Sequence, residues 1–123
     1  MTSQSSLPGD LSDQDLLVEL ECAASAERHA TARLIALLME VDSRKLYAGR
    51  GYSSLFTYCV QKLHLSEHAA YLRIEAARSA RRCPAILDRL ADGSLHLTAV
   101  SLLAPHLTAA NHVDVPWTLR PRR

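Results

Sequence analysis

The feature that most constrains the fold is a long segment containing neither glycine nor proline. No glycine or proline occurs between Leu11 and Gly49. Ser12 is placed to cap a helix, and Asp13 and Asp15 favour the positive end of a helix dipole. Apolar residues then recur along one helical stripe: Leu16, Leu20, Ala23, Ala30, Leu34, Leu38 and Val41. The pattern predicts one helix of about 30 residues, roughly 45 Å long.

A helix of this length is unusual in a small domain and has two interpretations. One is a coiled-coil-like pairing, which would form a homodimer through residues 12–42. The other is a helix that folds back on the remainder of its own chain. The apolar stripe is compatible with both interpretations, so both stay open at this point.

Short helices are predicted for the remainder of the chain, each beginning at a residue suited to a helix start. Ser53 or Ser54 is expected to start a helix over residues 55–63, and Ser66 a helix over residues 67–82. Pro84 is expected to start a helix that Asp92-Gly93 ends, and Thr98 a helix over residues 99–103. A turn at residues 64–66 separates the first two of these helices.

The predicted fold is therefore all-α. A long N-terminal helix packs on a cluster of four or five short helices, and these include a helix–turn–helix-like hairpin over residues 54–82. Residues 1–10 are expected to form a flexible leader, residues 11–113 the helical domain, and residues 114–123 a basic, proline-containing tail.

Charge is distributed unevenly along the chain. Residues 1–42 carry a net charge of −6 and residues 43–123 a net charge of +7. The basic half is expected either to face a polyanion or to be attracted to the acidic half of the same chain. The N-terminus has no signal-peptide pattern, and the longest apolar run, residues 34–39, is too short to span a bilayer. The expected location is the cytoplasm, with no membrane partner.

The sequence contains few residues in patterns that bind metals or cofactors. Cys22, Cys59 and Cys83 are scattered, so we expect small buried apolar groups rather than disulfides or a zinc site. His64 and His68 are four residues apart, but no cysteine or carboxylate completes a ligand set. A glycine-rich phosphate loop is also missing. We therefore expect no metal, no cofactor and no small-molecule substrate.

The predicted hairpin has the proportions of a DNA-binding helix–turn–helix, in which the second helix lies in the major groove. The residues expected to contact DNA are Ser66, His68 and Tyr71 at the base edges, and Arg78, Arg81 and Arg82 at the phosphates. Glu67 and Glu75 would repel phosphate, and position 64 holds histidine where glycine best tolerates left-handed geometry. Simple helix packing explains the pattern equally well.

Arg73 lies within the apolar arc of the same predicted helix. A charge there must reach solvent, form an ion pair or bind a ligand. Contact with DNA is one role. An ion pair with Glu27, which interrupts the apolar stripe of the first helix, is the interpretation that the pattern favours.

A resemblance to a known family is carried by three blocks: GYSSLFTYC, LSEHAAYLRI and LADGSLHLTAVSLLAPHL. Together with their flanks, over residues 11–108, they resemble the N-terminal helical region of a group of bacterial HNH endonuclease proteins. In that family the helical region precedes a separate C-terminal nuclease module. The resemblance implies a role in DNA binding or DNA cleavage.

The sequence departs from the family after LAPHLT, where AANHVDVPWTLRPRR replaces the expected next helix and no nuclease module follows. Asn111-His112 alone cannot form an HNH site, so no catalytic residue is carried over, and the chain would be a truncated or frameshifted member or an excised domain. The leading hypothesis is a non-catalytic, DNA-associated helical module. The alternative is a protein-interaction or dimerisation module acting through the long helix.

Overall fold

The structure, a computed structural model, describes residues 7–106, and all regular elements in this range are helices. The helices are α1 (Asp13–Arg44), α2 (Leu46–Gly49), α3 (Leu55–Gln61), α4 (Glu67–Arg82), α5 (Ala85–Asp92) and α6 (Leu97–Leu103). Short 3-10 turns at Pro8–Asp10 and Ala104–His106 flank them. The prediction of an all-α fold with a long N-terminal helix beside several short helices is confirmed. Part of the predicted leader, residues 1–6, and the predicted tail lie outside the described residues.

Serine caps begin three of the helices, as predicted. The Oγ atoms of Ser12, Ser54 and Ser66 each accept a hydrogen bond from a backbone N–H three residues later, at 3.1, 3.0 and 3.0 Å. Each bond satisfies one of the amide groups that have no partner inside the helix. Two helix ends are also set by local conformation, because Lys45 and Gly93 adopt left-handed backbone conformations directly after α1 and α5.

Two predicted helix starts differ from the structure. Helix α6 begins at Leu97, so Thr98 lies within its first turn, and His96 occupies the cap position without a side-chain hydrogen bond. The prediction that Thr98 caps this helix is therefore wrong. Pro84 precedes the first residue of α5 rather than occupying its first turn.

The central helix of the domain is α4, which contacts α1, α3, α5 and α6. Its core-facing side is made largely of small side chains: Ala70, Ala76, Ala77, Ser79 and Ala80. Small side chains allow neighbouring helices to approach closely, and the larger buried residues come from the helices around α4. Cys59 and Cys83 are buried in this core, as predicted, whereas Cys22 is exposed on α1 and its predicted burial is wrong.

Helix α1 is packed along only part of its length. Its buried residues, Ala32, Ile35 and Leu38, all lie in the second half, where α1 contacts α4 and α5. Every residue from 12 to 24 is exposed. Packing begins near Arg28, whose Nε donates a hydrogen bond of 3.4 Å to the carbonyl of Ala91. We call residues 13–24 the free segment of α1; twelve residues of helix are about 18 Å long.

Candidate interaction surfaces

The predicted helix–turn–helix-like hairpin corresponds to α3, a short turn and α4. Helix α3 ends at Gln61, two residues earlier than predicted. His64 has a φ of 63°, so it takes the left-handed conformation that glycine would adopt more easily. The Leu65 N–H donates to the Cys59 carbonyl at 3.1 Å and closes the turn. The two helices are thus adjacent, and α4 is also packed against α1, α5 and α6.

Most of the predicted DNA-contacting residues share one exposed face of α4. They are His68, Tyr71, Arg78, Arg81 and Arg82. At 100° per residue these positions span an arc of roughly 140° around the helix. Glu67 and Glu75 lie within the same arc, and Ser66 is occupied as the helix cap through its bond to the Ala69 N–H. The face is therefore of mixed charge at its N-terminal end and basic at its C-terminal end.

A single carboxylate on α1 engages two of the arginines at the basic end. Asp42 accepts hydrogen bonds from Arg78, through Nε at 3.3 Å and Nη2 at 3.4 Å, and from Arg81 Nη2 at 3.1 Å. Arg82 Nη2 donates to the Ala104 carbonyl at 3.4 Å, which is a neutral acceptor. One negative charge thus faces two positive charges, so the pairing removes only part of the positive charge of this end.

The Asp42 carboxyl is held in its ionised form by this arrangement. Its side chain is only 10% exposed, and burial by itself raises the pKa. The hydrogen bond from Arg78 and the positive charges of Arg78, Arg81 and Lys45 outweigh burial and lower the pKa below its ordinary value. Asp42 therefore joins the C-terminal ends of α1 and α4 as a charged group at neutral pH.

Arg73 is not brought together with the other predicted residues. It is half-buried on the core-facing side of α4, away from Tyr71 and Arg78, and its Nη1 donates to the Ala69 carbonyl at 3.2 Å. Within residues 7–106 no ion pair joins Arg73 to Glu27, so that prediction is wrong. The guanidinium turns back along its own helix instead. The Arg73 and Glu27 side chains both line an open cleft of about 240 Å³. Its other lining residues are Arg28, Thr31, Leu90, Leu95, His96 and Leu97.

The free segment of α1 exposes the same face that the second half of α1 buries. Leu17 and Ile35 are eighteen residues apart, about five helical turns, and so are Leu20 and Leu38. Ile35 and Leu38 are 0% and 3% exposed, whereas Leu17 and Leu20 are 57% and 62% exposed. Leu16, 42% exposed, lies beside this row. The free segment is therefore an apolar helix face that continues beyond the domain that buries the rest of it.

Acidic side chains surround this apolar row. Asp13, Asp15, Glu19 and Glu21 are exposed on the free segment, and no lysine or arginine occurs before Arg28. Pairing along residues 12–42 was one interpretation of the sequence pattern, and folding back on the same chain was the other. The structure packs the second half of α1 against its own chain and limits the exposed row to the first part of that range. The sequence analysis identified the leucine stripe and the net negative charge of residues 1–42 separately, and it did not predict that the two would share one exposed surface.

The remaining reactive side chains offer little chemistry within the described part of the chain. Burial raises the pKa of the Cys59 thiol, which favours its neutral, unreactive form. No group of three or more His, Cys, Asp or Glu side chains among residues 7–106 is placed to hold a metal ion. None of the helices in this range combines the length and the apolar character that crossing a membrane requires.

Comparisons with family models, with curated proteins and with solved structures each found no match to this chain.

Proposed function

We propose that the chain is a non-catalytic protein-interaction module, and that the free segment of α1 pairs with a helix of another molecule. The observation that carries the proposal is the exposure of Leu17 and Leu20 at the same angular positions as the buried Ile35 and Leu38. A row of leucines along a helix is normally covered, because each leucine moved fully from water into an apolar contact contributes about 1.5–3 kcal/mol. A partner helix would cover this row.

The length of the free segment supports the same function. A helix of about 12 residues is marginally stable by itself in water. Here it continues α1, which is anchored in the domain from Arg28 onward. The domain thus presents a preformed helix, so a partner does not have to supply the full cost of ordering it. This arrangement favours binding of an amphipathic helix along one face.

Replacing Leu17 and Leu20 together by glutamine is expected to abolish pairing and leave the domain folded. Both side chains are exposed, so the free energy of unfolding should change by no more than about 0.5 kcal/mol. The probes are amphipathic helical peptides with one leucine row and basic, neutral or acidic flanks. At least one peptide should slow amide hydrogen exchange over residues 13–24 of the unmodified chain, and none should do so in the double variant.

The matched control is Leu37→Gln, which removes an exposed leucine at a different angle on the same helix. This variant should bind the peptides as the unmodified chain does. If no peptide of any charge slows exchange over residues 13–24, the free segment is not a pairing surface and the proposed function is wrong.

Association with DNA is a second candidate function, favoured by the three arginines at the C-terminal end of the exposed face of α4. The single carboxylate of Asp42 pairs with both Arg78 and Arg81. The positive charge that it does not neutralise can attract phosphate oxygens. The resemblance to the helical region of HNH endonucleases points to the same role. The acidic side chains Glu67 and Glu75 on this face, and the packing of α4 against four neighbouring elements, make DNA association the second choice.

Replacing Arg78, Arg81 and Arg82 together by glutamine tests the DNA candidate. If these groups contact phosphates, the slope of log Kd against log salt should fall by about 2–3, since each phosphate contact contributes about 0.9. Fluorescence anisotropy with duplex and single-stranded DNA measures the slope, with circular dichroism to confirm folding. Arg33→Gln, which removes an exposed arginine of α1, should leave the slope unchanged. No binding to either form of DNA at low salt would reject the candidate.

A further inference from the structure

We infer that the partner of the free segment is a basic amphipathic helix, with an apolar row flanked by lysine or arginine. The inference rests on the proposed function and adds the chemistry of the partner. It starts from the four acidic side chains of the free segment, Asp13, Asp15, Glu19 and Glu21, which are accompanied by no lysine or arginine between residues 13 and 24.

Two of these acidic side chains, Glu19 and Glu21, lie beside the apolar row, where a paired helix would meet them. Glu19 and Glu21 are the neighbours of Leu20 in the sequence, so they project about 100° to either side of it. In paired helices the positions beside the apolar row carry the charges that select the partner and its orientation. Both flanks of this row are therefore acidic, and a partner with basic flanks would form charge pairs on both sides.

A second copy of the chain is disfavoured by the same charges. Each free segment carries a net charge of −4 over a helix length of about 18 Å. Pairing two copies through their leucine rows would bring like charges together in either orientation. The separations would lie within the Debye length of about 8–10 Å at physiological salt, so screening would be incomplete. A contact made by three leucines per copy would bury an area at the small end of stable interfaces. The free energy gained from that burial would offset little of the repulsion.

The inferred selectivity can be measured with three helical peptides that share one leucine row and carry lysine, glutamine or glutamate at the flanking positions. Titration of each into the full chain gives its Kd. The lysine peptide should bind at least about tenfold more tightly than the glutamine peptide, and the glutamate peptide should bind most weakly. The preference should shrink at high salt, because the charge pairs are exposed to solvent.

A charge-reversed chain is the matched control. Glu19→Lys combined with Glu21→Lys keeps the leucine row and changes only exposed side chains, so the preference should reverse toward the glutamate peptide. Circular dichroism confirms that this variant folds.

The outcomes separate this inference from the proposed function. Equal binding of the lysine and glutamine peptides would overturn the basic partner and leave helix pairing intact. Self-association of the unmodified chain, tighter than its binding to the lysine peptide in sedimentation measurements, would overturn the basic partner in favour of a second copy. A failure of all three peptides to bind would remove the proposed function itself.

Discussion

Replacing Ile86 by alanine is expected to lower the free energy of unfolding by about 2–5 kcal/mol. Ile86 is 0% exposed, and with Leu90 it is one of the two buried residues of α5. Helix α5 is the principal neighbour of α1 in the domain, so a cavity there weakens the contact that anchors the long helix. Urea denaturation followed by far-UV circular dichroism measures the change.

Leu102→Ala is the matched control for this substitution. Leu102 lies on α6 and is 73% exposed, so its truncation should change stability by no more than about 0.5 kcal/mol. A similar loss of stability in the two variants would show that Ile86 is not a core residue and would contradict the packing of α5.

Asp42→Asn should lower the free energy of unfolding by about 1–2 kcal/mol at neutral pH. Hydrogen bonds to charged groups contribute about 1.5–3 kcal/mol. The effect at Asp42 is expected to be smaller, because the Arg78 and Arg81 side chains are 55% and 49% exposed, and solvent screens their charges. The matched control is Glu40→Gln, which removes an exposed pair with Arg44 within α1 and should cost no more than about 0.5 kcal/mol.

The contribution of Asp42 should depend on pH with a definite sign. Because the folded-state pKa of Asp42 is lowered, its contribution is fully present above the unfolded-state pKa and is lost as the pH falls through the folded-state value. The stabilities of the unmodified chain and Asp42→Asn should therefore converge in acid. A difference that stays constant from neutral to acidic pH would show that the carboxylate does not hold the two helix ends together through its charge.

Local signals in the sequence predicted the helix boundaries well where the interaction is itself local. A serine cap joins atoms three residues apart, so the starts of α1 and α4 followed from Ser12 and Ser66, and the start of α3 from Ser53 or Ser54, of which the structure uses Ser54. Thr98 gave a similar signal and was wrong, because α6 begins at Leu97, two residues earlier than predicted, with His96 at the cap position.

The candidate surfaces were less predictable, because they depend on which face each helix turns outward. Arg73 and Arg78 belong to one helix, and contact with DNA was one predicted role of Arg73, but the structure places Arg73 on the inner side of α4, in a cleft that residues of α1 also line. Asp42 was missed as the partner of Arg78 and Arg81, since the ion pairs join residues 36 and 39 positions apart. The spacing of charges within α4 carries no information about a carboxylate at the end of α1.

The sequence by itself determined that this chain forms one long helix and a group of short helices, because caps, breakers and apolar spacing act within a few residues. It could not distinguish Leu17 from Ile35, which occupy the same angular position on α1 and have similar side chains. Only the tertiary structure decided that Ile35 is buried and Leu17 exposed, since burial depends on where the neighbouring helices end. The surface on which the proposed function depends is therefore a consequence of packing rather than of local pattern.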